Sequence, residues 1–262
     1  MDLKAIVGNV MKLTRETGAY IRQEARVFDH HVVEEKGLND LVSYVDKTAE
    51  ERLVTGLRNI LPEAGFIAEE GTAASNNEKY KWIIDPLDGT TNFTHGLPVY
   101  AISIALIEED ELVIGVVYEI NKNEMFWAVK GEGAWLNDER IHVSARTSLS
   151  ESLLATGFPY YNFEQMQAYL MILNDFMKGT HGLRRMGSAA VDLAYVACGR
   201  FEGFFEYNLN AWDVAAGSLL VKEAGGAVTD FSLGSDYLYG KEIIAAGPIL
   251  EEMHGVIAKY WN

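Results

Sequence analysis

The sequence predicts an α/β fold in which a sheet is covered by helices, and three observations carry that expectation. Helical repeats with apolar residues three and four apart occupy the first sixty residues. Short apolar runs separated by turn residues follow from Phe66 to Val129. Strand-like and helix-like stretches then alternate to the end of the chain, the pattern of a layered α/β protein.

The first helix places Leu3, Ile6, Val7, Val10 and Met11 on one stripe and Lys4, Lys12 and Arg15 on the other. A second is expected at about 43 to 61: Ser43 stands three residues before Asp46 as a capping box, Ala49, Leu53, Leu57 and Ile60 share a face, and Pro62 lies just past the end. Strands are expected at Phe66 to Ala68, Trp82 to Ile84, Val99 to Ile107, Leu112 to Ile120 and Met125 to Val129. The last three form an antiparallel meander, because Glu108-Glu109-Asp110 and Asn121-Lys122-Asn123 are turn-like. Gly131 and Gly133 then open a loop around Trp135. Beyond it come a strand at Leu153 to Thr156, helices at Phe163 to Met177 and Ser188 to Cys198, and a strand at Phe204-Phe205. An amphipathic helix from Asp213 stops at Gly225-Gly226, followed by a strand at Ile243 to Ala245 and a terminal helix. With no repeat and no Pro-, Gly- or Ser-rich linker, the 262 residues are expected to make one compact domain with two lobes, 1–145 and 146–262.

Composition narrows the function. The chain carries 22 Lys+Arg against 38 Asp+Glu, a formal charge of −16, which disfavours nonspecific binding to nucleic acid or anionic membranes. One cysteine, Cys198, allows no intramolecular disulfide, and no apolar signal core opens the sequence, so the chain reads as cytoplasmic. The charge-free run from Thr90 to Ile107 is too polar to span a membrane.

Three acidic clusters sit where a strand or helix ends: Glu69-Glu70-Gly71, Asp85-Pro86-Leu87-Asp88-Gly89-Thr90-Thr91, and Trp212-Asp213. Asp85 and Asp88 flank a proline-fixed turn, so both carboxylates and the Leu87 carbonyl can face one point. Oxygen ligands without histidine or cysteine favour Mg²⁺ or Mn²⁺. Crowded acids also raise one another's pKa unless a cation neutralises them. Gly89-Thr90-Thr91 next offers free amides to a phosphate. A divalent ion lowers the pKa of a bound water from about 15.7 toward 7, so the constellation predicts phosphate-ester hydrolysis. Taken singly, each residue has a plainer explanation: Asp-Pro and Asp-Gly are turn dipeptides, Asp213 a helix-terminal acid, Asp46 a cap, and Glu69-Glu70 a surface pair. The six histidines show no metal spacing, and Cys198 reads as an inert helical thiol.

Together, Glu69-Glu70-Gly71, Trp82 through Phe93, and Trp212-Asp213-Val214-Ala215-Ala216-Gly217 with Glu223-Ala224-Gly225-Gly226 closely resemble the inositol monophosphatase family, in its bacterial branch. The likeness extends to Lys36-Gly37, Asp40 through Ser43 with Asp46, Ala155 through Pro159, and Arg184 through Ala190. Ala68 stands where glycine is frequent and Ser43 where threonine is frequent, and neither change removes a ligand.

The resemblance implies an αβαβα sandwich, a homodimer, and Mg²⁺-dependent, lithium-inhibited hydrolysis of myo-inositol 1-phosphate, with two to three metal ions per site. It assigns Glu69, Asp85 and the Leu87 carbonyl to one metal, Asp85, Asp88 and Asp213 to a second, and Glu69 again to a third. Thr90 with Asp46 orients and helps deprotonate the water, which attacks phosphorus in line without a phosphoenzyme. Gly89 and Thr90 amides hold phosphate, and Asp88, Ala189 and Glu206 contact substrate hydroxyls. Relatives acting on fructose 1,6-bisphosphate, 3′-phosphoadenosine 5′-phosphate or histidinol phosphate share the metal core, and Thr91-Asn92-Phe93 with the Trp212-Asp213-Val214-Ala215 run favours the inositol type. Bacterial family members also associate with the transcription machinery, so a partner-binding protein with secondary phosphatase activity is the alternative.

Overall fold

The computed structural model describes residues 2–28, 34–37, 40–72, 78–159 and 163–261, with backbone alone for 34–37 and 40–42. The histidine pair at 30 and 31, the side chain of Lys36, and Tyr160 therefore lie outside the described residues. Helix α1 (Leu3–Glu24) is capped by Asp2, whose carboxylate accepts from the Ala5 amide at 3.1 Å. Strands β1 (Glu34–Gly37) and β2 (Asp40–Val42) form a small antiparallel pair that the apolar pattern did not announce. Helix α2 (Tyr44–Ile60) starts on the expected capping box: the Asp46 carboxylate accepts from the Ser43 amide at 2.9 Å and from the Ser43 hydroxyl at 2.6 Å.

Strand β3 (Gly65–Ala68) pairs in parallel with β4 (Tyr80–Asp88), which extends past the predicted Trp82–Ile84 through Pro86. One helical turn, α3 (Thr90–Thr94), leads into the expected meander of β5 (Ala101–Glu108), β6 (Glu111–Glu119) and β7 (Glu124–Val129). The stretch expected to loop around Trp135 instead continues the sheet as β8 (Ala134–Leu136) and β9 (Glu139–Ile141). Trp135 faces Trp127 across the strands, and their rings stack at 5.5 Å and 10°. That cross-strand aromatic pair holds β8 to β7, and Asn137, at φ 52°, then turns the chain from β8 into β9, strands too short to show alternation.

The second half builds a five-stranded mixed sheet in the order β11-β10-β12-β14-β13. Its elements are β10 (Leu153–Thr156), α4 (Met166–Gly179), β11 (Gly182–Arg184), α5 (Ala189–Ala197), β12 (Gly203–Tyr207), α6 (Ala211–Glu223), β13 (Ala227–Thr229), β14 (Glu242–Ala246) and α7 (Leu250–Ile257). The edge strands β11 and β13, three residues each, escaped the sequence pattern. Helix α6 is not amphipathic as expected: Val214 through Val221 are all buried, because α5 and α6 lie between the two sheets.

Alternation along β4 sorts the layers. Trp82 and Ile84 point into the core shared with α1 and α2, whereas Ile83 points into the core shared with α5 and α6. A third core, with Leu154, Tyr169, Phe176, Phe205 and Met253, lies between the five-stranded sheet and α4 with α7. The order is therefore helix, sheet, helix, sheet, helix. Small residues allow the central layer to sit close. A Cβ on Gly115 would come within 2.7 Å of the Ala216 carbonyl oxygen, and one on Gly217 within 2.4 Å of the Leu193 Cβ. Among the described residues no helix is long and apolar enough to cross a membrane.

Two glycine substitutions test this packing with opposite signs. Gly115→Ala pushes against backbone and is expected to destabilise by about 1–3 kcal/mol. Gly8→Ala, on the exposed side of α1 with nothing within 4 Å of the new methyl, is expected to stabilise by roughly 0.4–1 kcal/mol. Urea midpoints of the two variants read both effects.

Candidate active site

The acids converge through sheet geometry. Ala68 pairs with Ile84, and the Glu69 amide donates to the Ile84 carbonyl at 3.2 Å, so the chain leaving β3 delivers Glu69 beside Asp85. This parallel pairing is what turns an ordinary surface pair into part of a site. Between Asp85 and Asp88 the register of β4 against β5 slips, three steps on β4 spanning two on β5. Pro86 sits in this bulge, where a missing amide donor is tolerated. The bulge is tied by the Leu87 amide, which donates to Asp85 Oδ1 at 2.9 Å. Gly89 follows at φ 99°, where a Cβ would also lie 3.0 Å from the Val99 carbonyl oxygen.

Each acid is oriented by donors from elsewhere in the fold. Asp88 Oδ2 accepts from the Ser188 hydroxyl at 2.7 Å and from the Ala190 amide at 2.6 Å, at the start of α5. Asp213 Oδ2 accepts from the Asn210 amide at 2.6 Å, at the start of α6. Asp46, 1% exposed, stands behind Thr90, whose hydroxyl donates to Asp46 Oδ1 at 2.7 Å and also lies 3.0 Å from the Leu87 carbonyl oxygen. Asn92 joins this loop to the segment before α5, its amide donating to the Val99 and Met186 carbonyls at 2.7 and 2.8 Å.

One carboxylate oxygen from each of Asp85, Asp88 and Asp213 lies within 4.8 Å of the others. Burial pushes Asp85 and Asp213 well above the usual carboxylate range, and neighbouring charges add to it: Glu69, Asp88 and Asp213 for Asp85, chiefly Asp88 for Asp213. Burial raises Asp88 to about 6 against the lowering effect of its hydrogen bonds. Asp85 and Glu69 also share a hydrogen bond. Acids packed this way need protons or a cation, and an all-oxygen donor set fits a hard divalent ion. The residues present therefore fit Mg²⁺.

A cavity of about 220 Å³ opens on these groups. It brings together the predicted Glu69, Asp85, Leu87, Asp88 and Asp213 with Gly89, Thr90, Ala189 and Glu206, while Asp46 lies beneath it. In the same cavity, Glu206 is pushed up to about 8 by burial, with Arg185 opposing the shift and the charge of Asp88 adding to it. Gly157 lies against it: a Cβ there would come within 2.1 Å of both Glu206 carboxylate oxygens. Phe158 and Pro159 line the mouth, with the Arg185 guanidinium 5.6 Å from the Phe158 ring centre. Cys198 ends α5 half-buried, its thiol pushed up by burial, which fits an inert role.

Sequence reasoning overlooked Glu50. It is fully buried on α2, and its carboxylate accepts from the Glu70 amide at 2.7 Å, the Thr72 amide at 2.8 Å and the Thr72 hydroxyl at 2.7 Å. It thus fixes the loop that carries Glu69. The signal was present, since Glu50 lies four residues after Asp46 and beside the apolar stripe of Ala49 and Leu53.

The sequence profile of the inositol monophosphatase family matches residues 2–262. The chain belongs to the inositol monophosphatase family. The Nus factor SuhB of Haemophilus influenzae is 42% identical over 245 residues, covering 93% of this chain and 92% of that protein. The inositol-1-monophosphatase of Mesorhizobium japonicum is 37% identical over 252 residues, covering 96% and 95%. Among solved structures, the extragenic suppressor protein suhB of Bartonella henselae superposes with a TM-score of 0.92 at 39% identity, covering 97% of this chain and 99% of that one. The family is metal-dependent, and the acidic cluster described above is where this member can take a metal.

Two measurements probe the site. Glu50→Ala releases the loop and is expected to weaken Mg²⁺ affinity by about 10- to 100-fold in calorimetry. The raised carboxyls bind protons on folding, so the stability they supply is present below about 4 and is lost as pH rises through their folded values. For Asp88 the span runs from 3.8 to about 6 and for Glu206 from 4.5 to about 8. In a chelator the thermal midpoint should therefore fall between about pH 5 and pH 8, and Mg²⁺ should raise it more at the higher pH.

Proposed function

We propose that this chain is a Mg²⁺-dependent phosphomonoesterase that hydrolyses myo-inositol 1-phosphate and related inositol monophosphates. The observation that carries the reading is one cavity lined by both a cation-demanding carboxylate cluster and the buried Glu206, with Thr90 and Asp46 beside the cluster. The named activity of the Mesorhizobium relative supports it. Glu69, Asp85 and the Leu87 carbonyl would hold one ion, Asp85, Asp88 and Asp213 a second, and Glu69 would share in a third. Bound there, divalent ions neutralise developing charge on the phosphoryl oxygens and lower the pKa of water.

The chain's own groups do the rest. Thr90 Oγ1 donates to Asp46, so its lone pairs are free to receive a proton from the attacking water while its own proton passes to Asp46 Oδ1. Burial raises Asp46 above the usual carboxylate range, which suits a group that takes up a proton. The backbone amides of Gly89 and Thr90 face the phosphate. Asp88 Oδ2 is occupied by Ser188 and Ala190, which leaves Oδ1 for metal and substrate. Glu206 and the Ala189 backbone meet the hydroxyls of the alcohol. A second phosphate beside Glu206 would face the buried acids Glu206 and Asp192, with Arg185 as the cation beside them. This favours a monoester over fructose 1,6-bisphosphate or 3′-phosphoadenosine 5′-phosphate. Lithium inhibition and a homodimer belong to the same reading.

Phosphate release from myo-inositol 1-phosphate, the two bisphosphorylated compounds and histidinol phosphate tests it, with Mg²⁺, without it, and with lithium. The expected result is preference for the inositol ester, dependence on Mg²⁺ and suppression by lithium. Preference for another ester discards the substrate. Asp213→Asn should lower kcat by about 100-fold or more while the fold persists.

A second reading rests on the relatives named Nus factor SuhB: a protein partner in transcription, with catalysis secondary. The charge of −16 favours contact with protein over contact with RNA. An Asp88→Asn chain that still restores growth to a strain lacking this protein would favour the partner role, and failure to do so would favour the enzyme.

A further inference from the structure

Asp192 has no place in the roles assigned above, yet it lines the same cavity. It is the fourth residue of α5, is 1% exposed, and its Oδ1 has no hydrogen-bond partner among the described residues. A negative residue in the first turn of a helix is ordinary, because the helix N-terminus favours it. That accounts for the charge and leaves the burial and the missing partner unexplained, since a buried carboxyl oxygen without a donor is costly. The other buried orphan atoms, on Trp82, Glu119, Ser218 and Thr229, belong to residues that do not line the cavity. Asp192 is also outside the trio whose oxygens gather within 4.8 Å, so it is not part of the metal cluster. What faces it from neighbouring elements is Glu206 of β12, Asp88 of β4 and Arg185.

We propose that Asp192 is a further specificity-determining residue, whose carboxyl accepts a hydrogen bond from a hydroxyl of the substrate alcohol alongside the hydroxyl contacted by Glu206. A carboxyl can accept whether it is ionised or carries a proton on one oxygen. The site thereby selects alcohols with two hydroxyls within one cavity's reach, a polyol over an aryl or simple alkyl alcohol. This rests on the phosphomonoesterase reading.

The test compares kcat/KM for myo-inositol 1-phosphate with that for p-nitrophenyl phosphate, whose alcohol has no further hydroxyl, in the presence of Mg²⁺. Asp192→Leu, close in size, should reduce the preference for the inositol ester about tenfold, mainly through KM. Asp192→Asn, which keeps an acceptor oxygen, should restore most of it. Deoxy analogues of the inositol ester supply the second measurement and need no substitution: one of them should lose about tenfold in kcat/KM with the unsubstituted protein and lose no more with Asp192→Asn or Asp192→Leu than the variant already has. An unchanged preference in Asp192→Leu, or deoxy analogues that all react as well as the parent ester, overturns the contact. Failure of the unsubstituted protein to release phosphate from either ester overturns the phosphomonoesterase reading itself, and the contact with it.

Discussion

Carboxylates crowded at one end of β4 repel each other, and the surrounding structure is arranged to keep them together. Asp85 is 2% exposed and Asp88 9%, and Asp213 and Glu69 close on them from other elements. Each cluster aspartate accepts from donors that belong to a helix start or a tight bulge, Asp88 from Ser188 and Ala190, Asp213 from Asn210 and Asp85 from Leu87, while Asp46 behind them is held by Ser43 on one oxygen and Thr90 on the other. A capping interaction satisfies orphan amides and aims a carboxylate at once. Three helices, α2, α5 and α6, begin where acids are needed, and their partial positive N-termini lessen the repulsion. The remaining oxygens of Asp85, Asp88 and Asp213 are left to a cation.

That requirement explains the layering. The starts of α5 and α6 must reach the end of β4, so both helices lie against the inner face of the seven-stranded sheet, and the five-stranded sheet covers their other side. Helices buried on both sides cannot be amphipathic, and they approach closely through Gly115 and Gly217. The outer helix α2, packed beside α1, supplies Asp46 and Glu50 from the opposite face. The site thus draws on both faces of one sheet, through a bulge at its end.

How far this was legible in the sequence follows from the range of the interactions. Local signals survived: the Ser43–Asp46 box, the meander turns, the Gly225-Gly226 stop and the Asp-Pro-Leu-Asp-Gly-Thr run all depend on residues a few positions apart. The Trp127–Trp135 hairpin did not, because its stability comes from one cross-strand stack and not from alternation. The buried α6 misled because apolar periodicity measures how many sides a helix hides, which depends on sheets formed far away in sequence. At the site, the acids of the motifs were visible, and the residues that hold them were not. Glu50 and Ser188 act across 20 and 100 residues of sequence, on the loop after Glu69 and on Asp88. Asp192 carries no signal in the sequence, and only the cavity places it among Glu206 and Arg185.

Burial raises Asp85, Asp88, Asp213 and Glu206 around the cavity, but the outcome depends on their grouping. Where Asp85, Asp88 and Asp213 share one small volume, a divalent cation can displace the protons that burial would otherwise impose. Glu206 stands against Gly157 outside the trio that gathers on one point, and burial, with the charge of Asp88, raises it to about 8 against Arg185. A carboxyl that keeps its proton can donate to one hydroxyl oxygen and accept from another. Carboxyls gathered on one point call for a cation, whereas a buried carboxyl set apart from that point is left to hydrogen-bonding partners.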